Sequence, residues 1–449
     1  GSVEALSSHG CLRQHAGDQV EASRSLRRAL AFEPTMAACR RVLAECLRLL
    51  GDLSDEVEQR RALALEPSSR DGHDLYGALA TDRGRYLEAV RAHRRALAIG
   101  PVRGEALHNL GNAYRFSGEV VAARRQYRSA LALEPMLVEA HWNAGLTDLT
   151  LGEWVEGWPG YERRWHNPTL LEDIQVHPQP RWGGGTRPDA RVLLWAEQGL
   201  GDTLQFVRYA RLARQRVGRV ILQVPPTLKR LLAGVAGVDA CLTRDEALPA
   251  FDLHCPLGSL PGLFRTTVET IPGPVPYLTA PAEEVTRWAE HLAGVKGPRI
   301  GICWKGNPRF LEDRMRSPGL DAIRPILSAM PGSAISLVKD PNGDDLTGLD
   351  LLDLSGDLSD MATTAAVMAN LDLVITSDTS IVHLAGALGR PTWLLLHHAS
   401  DWRWLTGRSD SPWYPSISLF RQEAPGDWRA PVRRIAEGLR TKAFAHHRT

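Results

Sequence analysis

The chain has 449 residues, too many for one ordinary domain, and its 43% hydrophobic and 23% charged content belongs to a protein that can bury a substantial core. A formal net charge of +1 supplies no overall field for nucleic acid or a membrane surface. The six cysteines (11, 39, 46, 241, 255 and 303) form no CxxC pair and no metal-ligand spacing, and no signal peptide or apolar run of transmembrane length stands out, so a cytoplasmic protein with reduced thiols is expected.

In chain order, the leading Gly1 and Ser2 read as an expression remnant, with the natural start expected upstream. A repeat follows at once. Gly17, Gly51, Gly84, Gly118 and Gly152 are spaced by 34, 33, 34 and 34 residues, and Pro34, Pro67, Pro101 and Pro135 by 33, 34 and 34. Small residues recur at Gly10, Ala44, Gly77, Gly111 and Gly145. This period is that of the tetratricopeptide repeat, and LHNLGNAYRFSGEVVAARRQYRSALALEP (107–135) resembles that family's pattern. The resemblance implies an α-helical solenoid over residues 1–166 whose concave face takes up a peptide or protein segment. At the sixth position of two successive repeats stand Asn109 and Asn143, amides that offer a donor and an acceptor each and are the expected acceptor-binding residues. The matching place one repeat earlier is Leu75, and two exposed helical asparagines by coincidence is the alternative.

The last unit, EWVEGWPGYERRW (153–165), is aromatic and broken at Pro159; it is expected to cap the array and dock it on the next domain. Residues 167–189, polar and rich in Pro and Gly, read as a linker.

The stretch RVLLWAEQGLGDTLQFVRYA (191–210) predicts a buried strand over 191–195, a turn carrying Glu197 and Gly199-Leu200-Gly201-Asp202, and a helix opened by Thr203. Such a turn leaves free N–H groups and a carboxylate at the mouth of an α/β sheet; equally, Asp202 can be a plain helix cap. Apolar runs at 219–223, 238–242 and 251–253 alternate with turns and a short helix. After a helix over 282–292 the pattern restarts with a strand at 300–304, the turn Lys305-Gly306-Asn307, the 313–317 segment with Arg316, strands at 334–338, 352–354 and 371–376, and a helix over 361–370. Strands alternating with helices predict parallel sheets covered on both faces. Two in tandem predict α/β GT-B architecture: two Rossmann-like domains, 190–296 on the acceptor side and 297–449 binding the nucleotide sugar, with the helix 430–439 crossing back onto the first.

The segment SDTSIVHLAGALGRPTWLLL (377–396) ends a strand at Ser377, turns through Asp378-Thr379-Ser380 and puts His383 early in a helix, whose N–H groups would meet a phosphate. Gly201-Asp202, Lys305, Asp378-Thr379-Ser380 and His383-Leu384-Ala385 together resemble glycosyltransferase family nine, the lipopolysaccharide heptosyltransferase group, over about residues 190–440. The EQGLGD, CWKGNP and HLA stretches look like those of bacterial tetratricopeptide proteins fused to such a domain, some of which glycosylate flagellin. By that resemblance Asp202 is the catalytic base, with Glu197 its rival in the same turn. Gly201, Lys305, Asn307, Arg316, Asp378, Thr379, Ser380 and His383 would hold the donor. Ser380 departs from the family's usual Gly, which puts the donor's identity in question. The expected reaction is inverting transfer from a nucleotide sugar to a protein acceptor, flagellin first, without cofactor or metal. Two alternatives stay open: a glycan or lipid acceptor, and a non-catalytic binding scaffold.

Overall fold

A computed structural model describes residues 2–166, 175–295, 297–308, 310 and 313–441. Residues 167–174 of the expected linker and 442–449 of the expected last domain lie outside the described residues. The chain divides into two compact units, Gly1–Thr147 and Asp148–Thr449.

The first unit is a succession of helix hairpins: α1 (Val3–His15), α2 (Gln19–Phe32), α3 (Ala37–Leu49), α4 (Asp55–Leu65), α5 (Arg70–Asp82), α6 (Tyr86–Ile99), α7 (Gly104–Phe116), α8 (Val120–Leu133) and most of α9 (Val138–Thr150). Each odd-numbered helix of α1 to α7 ends on a periodic glycine at positive φ, from +71° at Gly51 to +83° at Gly118, where a side chain would be strained. Beyond the glycine an N–H reaches back to the last turn, as in Asp18 to the Arg13 carbonyl and Glu119 to the Tyr114 carbonyl, both 2.9 Å, which satisfies an otherwise orphaned acceptor. The periodic small residues make room between paired helices: a Cβ at Gly111 would lie 2.6 Å from Tyr127 Cε1, and one at Gly77 2.5 Å from His93 Nε2.

The second unit opens with α10 (Trp154–Tyr161) and a 3-10 turn, Glu162–His166. The expected bounds put this segment in the repeat array as a cap docked on the next domain; the docking is present, but the segment groups with the α/β part. Its rings are the reason. Trp154, Trp158 and Tyr161 are buried against Trp402, and Trp154 also stacks on Trp413 at 5.2 Å.

Two parallel sheets follow. The first has strands β1 (Arg187–Trp195), β2 (Val217–Gln223), β3 (Ala240–Leu242) and β4 (Leu253–Pro256) in the order β3-β2-β1-β4. Between them lie α11 (Leu200–Phe206), α12 (Ala210–Arg214) and α13 (Pro226–Leu232), and after β4 come α14 (Leu260–Leu263) and α15 (Ala282–His291). The second has β5 (Ile300–Cys303), β6 (Ala334–Ser336), β7 (Leu351–Asp353), β8 (Leu373–Ser377), β9 (Thr392–Leu396) and β10 (Ile417–Arg421), ordered β10-β9-β8-β5-β6-β7. Its helices are α16 (Asp313–Arg316), α17 (Leu320–Leu327), α18 (Met361–Ala369), α19 (Ser380–Ala387) and α20 (Arg429–Thr441). Counted from its own first strand this is the doubly wound 3-2-1-4-5-6 order, and β5, β8 and β9 are buried throughout, as parallel strands covered on both faces must be.

Three expectations shift. Strand β1 begins at Arg187, inside the expected linker, and Trp182 is already buried, its N–H bonded to the His254 carbonyl at 2.7 Å. The helix after the Gly-rich turn starts at Leu200 rather than Thr203. Among the described residues helix α20, expected to cross back onto the first domain, packs on α17, β9 and β10 of the second sheet, with Gly438 giving way to the Trp393 ring and Arg434 over Phe420.

Candidate active site

Doubly wound sheets bind ligands beyond the carboxyl ends of their strands, where the strand order reverses. In the first sheet that point lies between β1 and β4, and the turn after β1 carries residues 196–202. Gln198 there holds φ +59°, a strained value for a residue with a side chain. Asp202 sits in the first turn of α11 and accepts the Gly199 N–H on Oδ2 at 2.9 Å. Helix α11 packs on α19, and a Cβ at Gly201 would lie 2.7 Å from His383 Cδ2, so only glycine admits this approach.

In the second sheet the reversal lies between β5 and β8, and Asp378, Thr379 and Ser380 follow β8 directly. Thr379 caps α19 through its Oγ1, 3.3 Å from the Ile381 N–H, and Ser380 is the first helical residue. Asp378 is buried and accepts from Trp404 Nε1 at 2.8 Å; burial, helped by Asp401, pushes its carboxyl up to about 6. His383 shares a hydrogen bond with the Tyr414 hydroxyl at 3.0 Å and stacks against Trp404. Burial first, and then the nearby Arg403, bring its imidazole down to about 3, so it is neutral at physiological pH.

Arg403 ties the segment after β9 to the turn after β1 and to α11. Its guanidinium donates to Asp202 Oδ1, to Gln205 Oε1 and, at 2.8 Å, to Asp401 Oδ1, and lies 4.5 Å from the Trp402 ring centre. Enclosure raises the Asp202 carboxyl above its ordinary value, and Arg403 and the Gly199 N–H oppose that. Sequence reasoning missed Arg403. DWRW (401–404) reads as an aromatic cluster, and nothing local shows that its arginine meets a carboxylate 201 residues away.

Other expected residues are engaged elsewhere. Glu197, the rival base, is buried in a two-point ion pair with Arg164 and also accepts the Gly258 N–H at 3.1 Å; burial raises its carboxyl while Arg164 opposes. Lys305, after β5, pairs with Asp344 at 2.8 Å and donates to the Asn342 carbonyl. Arg316 is tied to Asp313 and lies over Phe310, while Asn307 is exposed. Gly306 links these to the second turn, since a Cβ there would lie 3.2 Å from Thr379 Cγ2 and 2.9 Å from Arg316 Nη2.

In the first unit, Asn109 and Asn143 do not form an open ladder. Asn143 Nδ2 donates to His108 Nε2 at 2.9 Å and to Asn112 Oδ1 at 3.0 Å, and Tyr127 donates to the same Asn112 oxygen at 2.7 Å. Asn109 is hydrogen-bonded to His108. Both Asn143 amide hydrogens are thus spent inside the array, and burial lowers the His108 imidazole to about 4, which keeps it an acceptor. Among the described residues no group of three or more His, Cys, Asp or Glu is arranged to hold a metal, and no helix is long and apolar enough to cross a membrane.

No family model matches the chain. The protein FlbA of Caulobacter vibrioides is 29% identical over a 324-residue alignment that covers 65% of this chain and 53% of that protein, so the chain spans about half the length of this curated relative. Solved structures also resemble part of it, three of them as follows. PilW, a type IV pilus biogenesis factor, has 21% identity and a TM-score of 0.35 over 38% of this chain and 79% of its own. MamA from Desulfovibrio magneticus RS-1 has 18% identity and a TM-score of 0.32 over 39% of this chain and 97% of its own. A tetratricopeptide repeat protein from Parabacteroides merdae has 21% identity and a TM-score of 0.32 over 37% of this chain and 66% of its own.

Proposed function

We propose that the chain is a cytoplasmic glycosyltransferase of the GT-B arrangement, moving a sugar from a nucleotide-activated donor to a hydroxyl of a protein recruited by the repeat array. The observation that carries this reading is the Gly201–His383 contact. It brings the turn after β1 against the first turn of α19, so that a carboxylate and a helix amino end from two doubly wound sheets contribute to one site. In the transfer, the acceptor oxygen bonds to the anomeric carbon as the bond from that carbon to the donor phosphate oxygen breaks. The hydroxyl proton passes to Asp202, and the departing charge stays on the nucleotide phosphate. Thr379, Ser380 and the amino end of α19 suit that phosphate, with Lys305 in the turn after β5 and Arg316 beside Gly306 as the cations. Asp378 and neutral His383 suit sugar hydroxyls. Flagellin is the first acceptor to try, on the sequence resemblance.

The test is a melting curve of the full chain with CMP, UDP, GDP or ADP and their sugars, since only ligands of the native state raise the midpoint. Intact-mass analysis of a purified acceptor incubated with the stabilising nucleotide sugar completes it. One nucleotide series should stabilise the protein and its sugar should appear on the acceptor. Absence of both results would leave the scaffold reading in its place.

A further inference from the structure

We propose that Arg403 is the positioning residue of the Asp202 carboxylate: it reaches from the segment after β9 to the turn after β1 and keeps that carboxylate charged and aimed. The role of Asp202 as base rests on the transferase reading; the pairing itself does not.

The geometry is specific. The Asp202 side chain is only 21% exposed, and enclosure of a carboxyl favours its protonated form, which is no proton acceptor. Its two oxygens have different partners. Oδ2 takes the Gly199 N–H, which fixes the carboxylate over the start of α11, and Oδ1 takes the Arg403 guanidinium. Arg403 is itself held at three points: Nε to Gln205 on α11, Nη1 to Asp401, and the flat of the guanidinium toward Trp402 and Phe206 at 4.5 and 5.4 Å. Asp401 is fixed in turn, accepting the Arg403 backbone N–H at 3.0 Å.

Other charges and titratable groups near this pair are Asp401, Glu197, Asp378, Tyr161, Tyr414 and His383. Asp401 and Glu197 are negative and work against ionised Asp202, and His383 is neutral. Glu197 is already matched by Arg164. Arg403 is therefore the cation that offsets the enclosure of Asp202. A lysine could not replace it, because one ammonium cannot span Asp202, Gln205 and Asp401 in a plane. Since Asp202 and Arg403 come from different sheets, the charged base is complete only while the two sheets' ends are together.

The test follows the Asp202 carboxyl by carbon-13 NMR in full chain labelled at aspartate carboxyls, with Asp202→Asn assigning the signal. Wild type, Arg403→Met and Arg403→Lys are titrated, and the pH profile of kcat/KM for sugar transfer is recorded for each. In Arg403→Met the Asp202 midpoint should rise by about one pH unit or more. The acid limb of kcat/KM should move with it while nucleotide affinity stays within about twofold of wild type. Arg403→Lys should show a smaller shift in the same direction. A folded Arg403→Met with an unmoved Asp202 midpoint overturns the proposal; if methionine prevents folding, an unmoved midpoint in Arg403→Lys does so. Should the wild type transfer no sugar, the transferase reading falls, while the carboxyl titration still decides what Arg403 does.

Discussion

Arg164 meets Glu197 through both arms of its guanidinium, Nε to Oε2 at 3.0 Å and Nη2 to Oε1 at 2.8 Å, with both side chains more than nine-tenths buried. This pair ties the 3-10 turn Glu162–His166 to the turn after β1, and Ser259 adds a third contact at 2.7 Å from Nη2. Removing one charge leaves the other buried without a partner. Glu197→Gln should therefore cost about 3–5 kcal/mol in denaturant unfolding, whereas Arg164→Met with Glu197→Leu should recover much of that. Asp202→Asn should behave in the opposite way, with stability near wild type and single-turnover transfer down by roughly 10²–10⁴ at saturating donor. Near-normal transfer in Asp202→Asn with the loss confined to a stable Glu197→Gln would reverse the two roles.

Gly201 and His383 allow a second measurement. A methyl at Gly201 collides with the imidazole at 2.7 Å, so Gly201→Ala should destabilise by about 1–3 kcal/mol and weaken nucleotide binding. In a His383→Ala background the same change should cost far less. Additive losses in that double-mutant cycle would mean that the two turns are not in contact.

Lys305 leans on Asp344, and a donor phosphate would compete for it. Lys305→Ala should weaken nucleotide-sugar binding by about 1.5–3 kcal/mol in calorimetry, and Asp344→Ala should strengthen it. If both variants bind as wild type does, Lys305 is outside the donor site.

The pH dependence of the first unit should trace to His108. Its imidazole falls from 6.5 to about 4 on folding, chiefly through burial, so its contribution is intact above pH 6.5 and is lost as the pH falls toward 4. The loss is on the order of 3 kcal/mol. Hydrogen exchange of helix α7 should accelerate across that window, and His108→Gln, which keeps an acceptor for Asn143, should flatten the response. An unchanged acid response in His108→Gln would assign it to another group.

Asp378 has the opposite sign. Its carboxyl rises from 3.8 to about 6 on folding, so the native state holds an extra proton between those values, and its stabilising contribution, present below 3.8, is lost as the pH rises through 6. Asn can still accept from Trp404. Asp378→Asn should thus match the wild type near pH 4 and exceed it by up to about 3 kcal/mol near pH 8. Equal melting curves at both pH values would show that Asp378 is not held in a charge-averse site.

What the sequence determined by itself is what local rules govern. The periodic glycines adopt the positive φ that hairpin turns require, and Gly77 and Gly111 face the bulky residues His93 and Tyr127 on the partner helix, because a fixed period repeats one local geometry. Buried parallel strands are continuous apolar runs, so most of them were legible, and Asp378, Thr379 and Ser380 could be put at a strand end from their neighbours alone. Tertiary structure decided the partners. Nothing near Glu197 in the chain points to Arg164, nothing near Asp202 to Arg403, and nothing near Asn143 to His108, because each contact spans from 33 to 201 residues and depends on which faces meet after packing. The aromatic segment after the repeats likewise took its place only when Trp402 and Trp413 were there to cover it. Local pattern specifies elements, but the charge a buried carboxylate carries depends on the groups that enclose it, and those are chosen by the fold.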